Sequence, residues 1–342
     1  MMTRIFRTAA LAALLWATQA VALLPIVSGE AAIAPKAAPA ARLRIPVLQA
    51  GAPRIVLSPV PESDIDEVRR ANARMSFKNA HRVVIGVTRS VAIDALLPAA
   101  VQMQWLAADG GRAAQVAVTS PDAGLMRLAI DLAGVPEDVE MVFLGAAEPA
   151  RLEGPVRVGD IRDRTAPWWS PVPEGATPTV EFFVPSRYDP ATLPLKVVAA
   201  SHIFSTPSSR FTKRLEDIGH AGPCNVDIPC SSLNGSAAFQ RVADSVAQML
   251  FTDGTFTLLC TGSLLNDSDP SGQIPWFYSA NHCFENVTPP YKTPAQMQAV
   301  ANTLATLWSF EANACLGGQG SGVPISTWSQ LNGGATWVYN NP

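Results

Sequence analysis

Residues 260–283 read C-T-G-S-L-L-N-D-S-D-P-S-G-Q-I-P-W-F-Y-S-A-N-H-C. The stretch begins as a short apolar strand, passes through a polar loop at 266–272, and continues as a second apolar run that ends on His282. Cys260 and Cys283 stand at its two ends, and a disulfide between them would close the loop and hold the imidazole in place. By the entropy of loop closure, such a bridge contributes about 3 kcal/mol of stability. The stretch therefore predicts a fixed histidine beside a cystine.

Two motifs in this stretch resemble a known protein family. C-T-G-S-L-L-N at 260–266 and F-Y-S-A-N-H-C at 277–283 are similar to the histidine region of chymotrypsin-like serine proteases, most of all to the bacterial lysyl endopeptidase type. The resemblance implies that His282 is the general base, because a serine hydroxyl is a poor nucleophile until a positioned imidazole removes its proton. Ser279 and Asn281 depart from the commoner residues of the motif. The alternative is a buried structural histidine beside a cysteine pair.

The composition is that of a globular protein. The chain has 342 residues, of which 48% are hydrophobic and 15% charged, so it is long enough for two domains. The formal net charge of −3 offers no basic surface for nucleic acid.

Met1–Ala22 reads as a signal peptide, because Arg4 and Arg7 precede an apolar run that ends in the small-x-small pattern of a cleavage site. A membrane anchor would be longer. We therefore expect a secreted or periplasmic protein with no membrane segment after signal removal.

Cysteine usage agrees with export. The five cysteines all lie in the last third of the chain: Cys224, Cys230, Cys260, Cys283 and Cys315. In an exported protein they are expected to be oxidised. A zinc site is the competing interpretation of clustered cysteine and histidine, but there is no C-x-x-C pair and the spacings match no common structural finger. We therefore expect neither a metal nor another cofactor.

The cysteine pairing comes from the resemblance. C-N-V-D-I-P-C at 224–230 is similar to the start of the mature enzyme in the lysyl endopeptidase type. This similarity implies one bond between Cys230 and Cys315, a second between Cys260 and Cys283, and a Cys224 that is unpaired in this chain. The larger of the two loops, about 85 residues, would contribute about 4.6 kcal/mol by loop-closure entropy.

The part of the chain before the first cysteine reads as a leader followed by a β-rich domain. Residues 23–62 are rich in proline and alanine and predict a flexible leader. Residues 63–75 begin with Ser63 as an N-cap and predict a short surface helix. From 81 to 201, short β-rich runs alternate with turn signals, a pattern typical of a β-sandwich. We take 63–201 as one self-contained domain.

Nothing in this sandwich indicates catalysis. His81 and His202 lie far apart with no nucleophile pattern nearby, so strand-end or surface positions are expected for both. W-W-S-P-V-P-E-G at 168–175 resembles a turn in the prosegments of the same protease group; on its own, it is a turn whose two aromatic residues pack on a sheet. Both interpretations make the domain accessory. It would act in cis as a prosegment, aiding folding and inhibiting the enzyme, or bind a carbohydrate or a surface.

A linker joins this domain to the cysteine-rich part. Residues 202–222 lack apolar periodicity and carry basic sites at Arg210, Lys213 and Arg214, where a zymogen could be cut. A plain interdomain linker would have the same composition. The remaining segment, 223–342, is expected to be the N-terminal part of a trypsin-like protease domain.

Three local patterns within 223–342 predict secondary structure. Phe239–Leu250 has apolar residues at helical spacing, but the resemblance implies a barrel strand there, and we favour the strand. Thr252-Asp253-Gly254-Thr255 predicts a hairpin turn. T-P-A-Q at 293–296 predicts a helix that begins with a capping box.

The other members of a catalytic triad are not recognisable. In this family an aspartate and then a serine in a G-x-S-G setting follow the histidine. No aspartate follows His282, and Gly320-Ser321-Gly322 comes too early for the family's nucleophile. We therefore expect an all-β precursor, with a β-sandwich prosegment followed by a partial chymotrypsin-like β-barrel, that acts on proteins or peptides but is truncated and nearly inactive as it stands. The alternative is a non-catalytic exported protein whose sandwich binds a surface or a partner.

Overall fold

The computed structural model describes ten stretches of the chain: 40–47, 54–73, 82–91, 103–146, 151–204, 226–265, 274–286, 290–311, 314–315 and 328–340. Within them the strands are β1 (Arg54–Val56), β2 (Val83–Ser90), β3 (Leu106–Ala108), β4 (Gly111–Thr119), β5 (Leu125–Asp131), β6 (Glu140–Leu144), β7 (Leu152–Arg157), β8 (Trp168–Trp169), β9 (Thr179–Pro185), β10 (Lys196–Ile203), β11 (Val246–Thr252), β12 (Phe256–Leu264), β13 (Phe277–Ser279), β14 (Ala305–Trp308) and β15 (Ser329–Leu331). The α-helices are α1 (Glu62–Ala73), α2 (Ala237–Asp244), α3 (Asn281–Phe284) and α4 (Pro294–Ala301). Strands dominate, so the predicted all-β fold is confirmed.

The strands form two sheets. The six-stranded sheet has the order β1-β4-β9-β6-β7, with β3 paired to β4. The nine-stranded sheet has the order β15-β14-β11-β12-β2-β10-β5-β8, with β13 paired to β12. The strand pairs of the described stretches are antiparallel except β1 with β4, which is parallel.

A core between the two sheets makes the predicted sandwich. Met126, Leu128 and Ile130 lie on one face of β5 and belong to one buried cluster with Val180 and Phe182 of β9. Successive side chains of a strand point to opposite faces, so this alternation places the apolar face of β5 against the six-stranded sheet. The other face of β5 carries Arg127 and meets the C-terminal part of the chain.

Arg127 is a buried cation that joins the two parts. Its Nη1 donates to the carbonyl oxygen of Thr303 at 2.8 Å, and its Nε donates to that of Ser170 at 3.0 Å. The guanidinium also lies 5.7 Å from the ring centre of Trp169. Burial lowers the pKa of Arg127 to about 9, so the side chain stays protonated at neutral pH.

The nine-stranded sheet crosses the predicted domain boundary. Strand β12, which carries Cys260, is paired with β2 through Phe256 opposite Val87 and Leu258 opposite Val84. The sandwich of 63–201 is therefore not closed on itself, in contrast to the expectation from the sequence. The edge of β12 that an isolated partial barrel would expose is covered by β2.

A second buried cluster, called here the shared core, is built from both parts. It consists of Val68, Val84, Ile85, Val87, Leu125, Val172 and Ile203 together with Met249, Leu250, Phe251, Leu258, Cys283, Val300, Leu304 and Ala305. Since apolar burial is the main stabilising contribution, neither part keeps this core without the other.

Part of the predicted flexible leader, 23–62, has defined structure. Strand β1 adds to the edge of the six-stranded sheet beside β4. The backbone N–H of Arg44 donates to Oε1 of Glu181 at 2.7 Å, and Ile45 is buried. Residues 44–45 and 54–56 therefore belong to the sandwich, because they cover its edge and one of its buried carboxylates.

The first helix begins at Glu62, one residue before Ser63, its expected N-cap. Ser63 lies inside α1, which starts at Glu62. The carbonyl oxygen of Pro61 accepts the amide hydrogens of Asp64 at 3.0 Å and Ile65 at 3.3 Å, so Pro61 occupies the position before the helix.

The prediction of a strand across Phe239–Leu250 is wrong for the first half of that segment. Residues 237–244 form α2, and β11 begins only at Val246. The hydroxyl of Ser236 accepts the amide hydrogen of Phe239 at 3.5 Å as an N-cap, a local signal that agrees with the helical spacing of the apolar residues.

The other two local patterns are present as predicted. In the turn between β11 and β12, Oδ1 of Asp253 accepts the backbone N–H groups of Thr255 at 3.2 Å and Phe256 at 2.9 Å. Gly254 has a φ of 102° there. Thr293 and Gln296 form the reciprocal hydrogen bonds of a capping box at the start of α4.

Several sequence predictions fall outside the described residues. They are the signal peptide at 1–22, His81, and the basic sites Arg210, Lys213 and Arg214. Strand β10 continues to Ile203, past the expected start of the linker at 202. None of the described helices is both long and apolar enough to cross a bilayer.

His202 lies near the end of β10, as expected, but it is buried rather than exposed. Its Nδ1 is 2.8 Å from the hydroxyl oxygen of Ser120, and its ring packs against Phe204. Burial, together with the positive charge of Arg89, lowers the pKa of His202 to about 4. The imidazole is therefore neutral at pH 7.

This burial predicts a pH-dependent stability. The unfolded chain binds a proton on His202 below about pH 6.5, whereas the folded chain does so only near pH 4. The free energy of unfolding should therefore be highest above about pH 6.5 and fall by on the order of 3 kcal/mol as the pH drops to about 4. Urea unfolding at several pH values measures this change. In His202→Gln the fall should be smaller by about that amount, and equal falls in both proteins would contradict the assignment.

Candidate functional site

His282 sits on α3, a single helical turn that follows β13. Strand β13 is held on β12 by pairing of Gly262 with Ser279 and of Leu264 with Phe277. The helical turn is closed by the amide of Glu285, which donates to the carbonyl oxygen of Asn281 at 2.9 Å. The side chain of His282 is partly exposed. The two strands thus place the partly exposed imidazole beside the nine-stranded sheet.

The glycine of C-T-G-S-L-L-N has a steric role at this site. A Cβ atom on Gly262 would lie 2.5 Å from a ring carbon of Phe277 and 2.8 Å from the carbonyl oxygen of Tyr278. Only glycine lets β13 approach β12 this closely without a shift of the backbone. The motif therefore includes a residue that sets where the histidine turn begins.

A cysteine pair fixes the histidine turn to the sheet. Cys260 on β12 and Cys283 on α3 are disulfide-bonded, with 5.9 Å between their Cα atoms. Cys283 is buried in the shared core. The hydroxyl of Ser279 donates to the carbonyl oxygen of Thr261 at 2.8 Å and lies 3.2 Å from the sulfur of Cys283. Ser279, one of the departures from the family motif, therefore helps to tie the turn to β12.

The second bond joins Cys230 and Cys315, with 4.7 Å between their Cα atoms. Both bonds are the pairs that the resemblance implied. Cys224 lies outside the described residues, so its unpaired state stays a prediction.

The same residues form the cluster that raised the question of zinc. Ligand atoms of Cys260, His282 and Cys283 all lie within 4.8 Å of one another. Zinc binds cysteine as the thiolate, however, and both sulfurs are used in the disulfide. In the oxidised protein this cluster is a histidine beside a cystine.

Polar groups support the turn from its other side. Oε1 of the buried Glu285 accepts the backbone N–H groups of Asn286 at 2.8 Å and Lys292 at 2.6 Å. Asn340 donates to the other oxygen of Glu285 at 3.4 Å and to Oδ1 of Asn281 at 2.8 Å. Asn281, the second departure from the family motif, thus binds a residue near the end of the chain.

Glu285 is held in its ionised form. Burial would raise the pKa of Glu285, but the N–H groups of Lys292 and Asn286, the charge of Lys292 and the amide of Asn340 together lower it. A buried carboxylate that accepts these bonds orders the segment after the histidine turn.

Sequence reasoning missed two supports of the histidine. They are the Glu285–Asn340 contact and Arg82, which lies against the end of α3. Asn340 is 55 residues from Glu285 in the sequence, and Arg82 is about 200 residues from the carbonyl groups that it contacts. No local sequence pattern marks such distant pairs. Ser321, which comes too early in the sequence for the family's nucleophile, lies outside the described residues.

Comparison with known proteins gives two family matches. The lysyl endopeptidase N-terminal domain matches residues 56–204, and the lysyl endopeptidase C-terminal domain matches residues 218–342. A lysyl endopeptidase from Pseudomonas aeruginosa is 32% identical over 225 residues, which is 63% of this chain and 44% of the relative. The chain thus spans less than half the length of the curated relative that it matches. No solved structure matches it.

The disulfide beside the histidine generates a stability prediction. Replacing both partners, Cys260→Ser with Cys283→Ser, should lower the free energy of unfolding by about 3 kcal/mol, because the unfolded chain regains the freedom of a 23-residue loop. Urea unfolding measures the loss. Cys224→Ser is the matched control and should change the value by less than about 0.5 kcal/mol. An equal loss in both variants would contradict the predicted pairing.

Proposed function

Because this chain belongs to the lysyl endopeptidase family, we propose that it carries the general-base part of a secreted serine endopeptidase, with His282 as that base. The observation that carries the proposal is the placement of His282. It is partly exposed, on a turn fixed by a disulfide to β12 and by Glu285 and Asn340 on the other side.

The chemistry is acyl transfer. His282 would take the proton from a serine hydroxyl as the oxygen attacks the scissile carbonyl, and then deliver it to the leaving amine. This role needs an imidazole with a fixed orientation, which the two sets of contacts supply. Substrates would be proteins or peptides, and the reaction needs no cofactor.

The 342 residues contain no aspartate after His282. Along the chains of this family, the triad aspartate and the serine nucleophile come after the histidine. We propose that these residues alone hydrolyse peptide bonds only at background rate, because without the serine oxygen of the triad no acyl-enzyme can form.

The N-terminal part would act as a prosegment in cis. Pairing of β2 with β12 and the shared core support this role, since the segment completes the sheet on which the histidine is carried. The signal peptide at 1–22 would direct export, and a cut at the basic sites Arg210, Lys213 or Arg214 would separate the two parts of the chain.

The proposed base is tested in the longest reading frame that contains these residues. His282→Ala should lower kcat/KM for a fluorogenic peptide at least about a thousandfold, because the serine loses its proton acceptor. His202→Gln is the matched control. It changes a buried histidine of β10, so it should alter stability and leave kcat/KM of the folded enzyme within about threefold.

Two results would contradict the proposal. One is peptide hydrolysis that is unchanged in His282→Ala. The other is a complete reading frame with neither an aspartate strand nor a G-x-S-G loop after His282, which would favour the non-catalytic, surface-binding alternative.

A further inference from the structure

Arg82 lies against the end of the histidine turn although it comes from the N-terminal part of the chain. Its Nη1 is 3.4 Å from the carbonyl oxygen of Cys283 and 3.3 Å from those of Phe284 and Glu285. Its Nη2 is 3.5 Å from Oδ2 of Asp253 in the turn between β11 and β12. The side chain is only 15% exposed.

These three carbonyl groups need a partner. The last carbonyl oxygens of a helix have no donor within the helix, and a positive charge there is favourable. A turn of four residues is too short to be stable by itself. A guanidinium placed at all three oxygens therefore contributes directly to keeping α3 folded.

The register of the sheet delivers Arg82 to this place. Val83, the first residue of β2, is paired with Leu259 of β12. The chain before Val83 therefore runs alongside Cys260, whose disulfide leads to Cys283 and α3. The pairing of β2 with β12 therefore places Arg82 in contact with the turn.

Two acidic groups lie near Arg82 in this setting. Burial lowers the pKa of Arg82, while the negative charges of Asp253 and Glu285 oppose that change. The neighbouring Lys292 has its pKa lowered by burial and by Arg82. The cluster thus keeps two acids close to two cations, and Arg82 is the member that contacts the carbonyl groups of α3.

We propose that Arg82 is a positioning residue for His282, so that the prosegment is part of the histidine site. The guanidinium holds the turn from its C-terminal end while the disulfide holds it to β12. Separation of β2 from β12 removes Arg82 and leaves three carbonyl groups to water. The prosegment therefore orders the histidine turn in the uncleaved chain. The link to catalysis rests on the proposed function, whereas the ordering of the turn does not.

The test uses the 342-residue chain and two variants of Arg82. In Arg82→Met, amide hydrogen exchange over 281–285 should become at least about tenfold faster, and the ring resonances of His282 should shift. Arg82→Lys keeps the charge and should restore part of the protection. Arg89→Met is the matched control, since Arg89 lies on β2 but donates to the hydroxyls of Ser120 and Ser58, and it should leave 281–285 within about twofold.

Several outcomes would overturn the proposal. Exchange over 281–285 that stays within about twofold in Arg82→Met, or that rises equally in Arg89→Met, would show that Arg82 does not order the turn. If Arg82→Met fails to fold, Arg82→Lys decides, with faster exchange confined to 281–285 as the expected result. Loss of the sheet in both variants would also count against it, because Arg82 would then stabilise the whole sheet.

These readouts do not need peptide hydrolysis. The positioning role can therefore fail while His282→Ala still abolishes activity of the complete enzyme. Conversely, Arg82 can order the turn in a protein that proves to be no protease.

Discussion

The pairing of β2 with β12 is the interaction on which the rest of the structure depends. Strand β12 carries Cys260, supports β13, and leads to the histidine turn, and its two edges are covered by β11 and β2. Without β2, one edge would expose a row of unpaired backbone groups and the shared core would open to water. A segment that is separate in sequence is thus a structural component of the sheet that holds the histidine.

His282 is constrained from several directions at once. Gly262 sets how closely β13 approaches β12, and the cystine fixes the turn to the sheet. Glu285 and Arg82 hold the segment and the carbonyl groups that follow the imidazole. General-base catalysis depends on placing an imidazole to within a fraction of an ångström of its partner. Such redundancy suits the general-base role proposed for His282.

Local patterns in the sequence predicted local structure well. The two motifs around His282, the turn at Asp253 and the capping box at Thr293 each depend on residues only a few positions apart. The error at Phe239–Leu250 arose because a family resemblance was preferred to the helical spacing, which Ser236 reinforces as an N-cap. The all-β class followed from the many short runs with turn signals between them.

Long-range partners were not predictable in the same way. A β-rich run shows that a strand will form but not which strand it will pair with, so the union of β2 with β12 was missed. Arg82 gave no signal, because its partners are backbone carbonyl groups about 200 residues away. His202 was expected at a strand end or on the surface, and its burial at the end of β10 was not predicted, since exposure depends on sheets that cover it only in the folded chain.

The most direct measurement is of cross-strand nuclear Overhauser effects in the isotope-labelled chain. Effects between Val84 and Leu258, and between Val87 and Phe256, are expected because these residues are paired across β2 and β12. The pair Leu250 and Leu259, within the hairpin of β11 and β12, serves as the internal reference. If the reference effect is seen but no effects appear between β2 and β12, the claim that the N-terminal part completes the histidine-bearing sheet is contradicted.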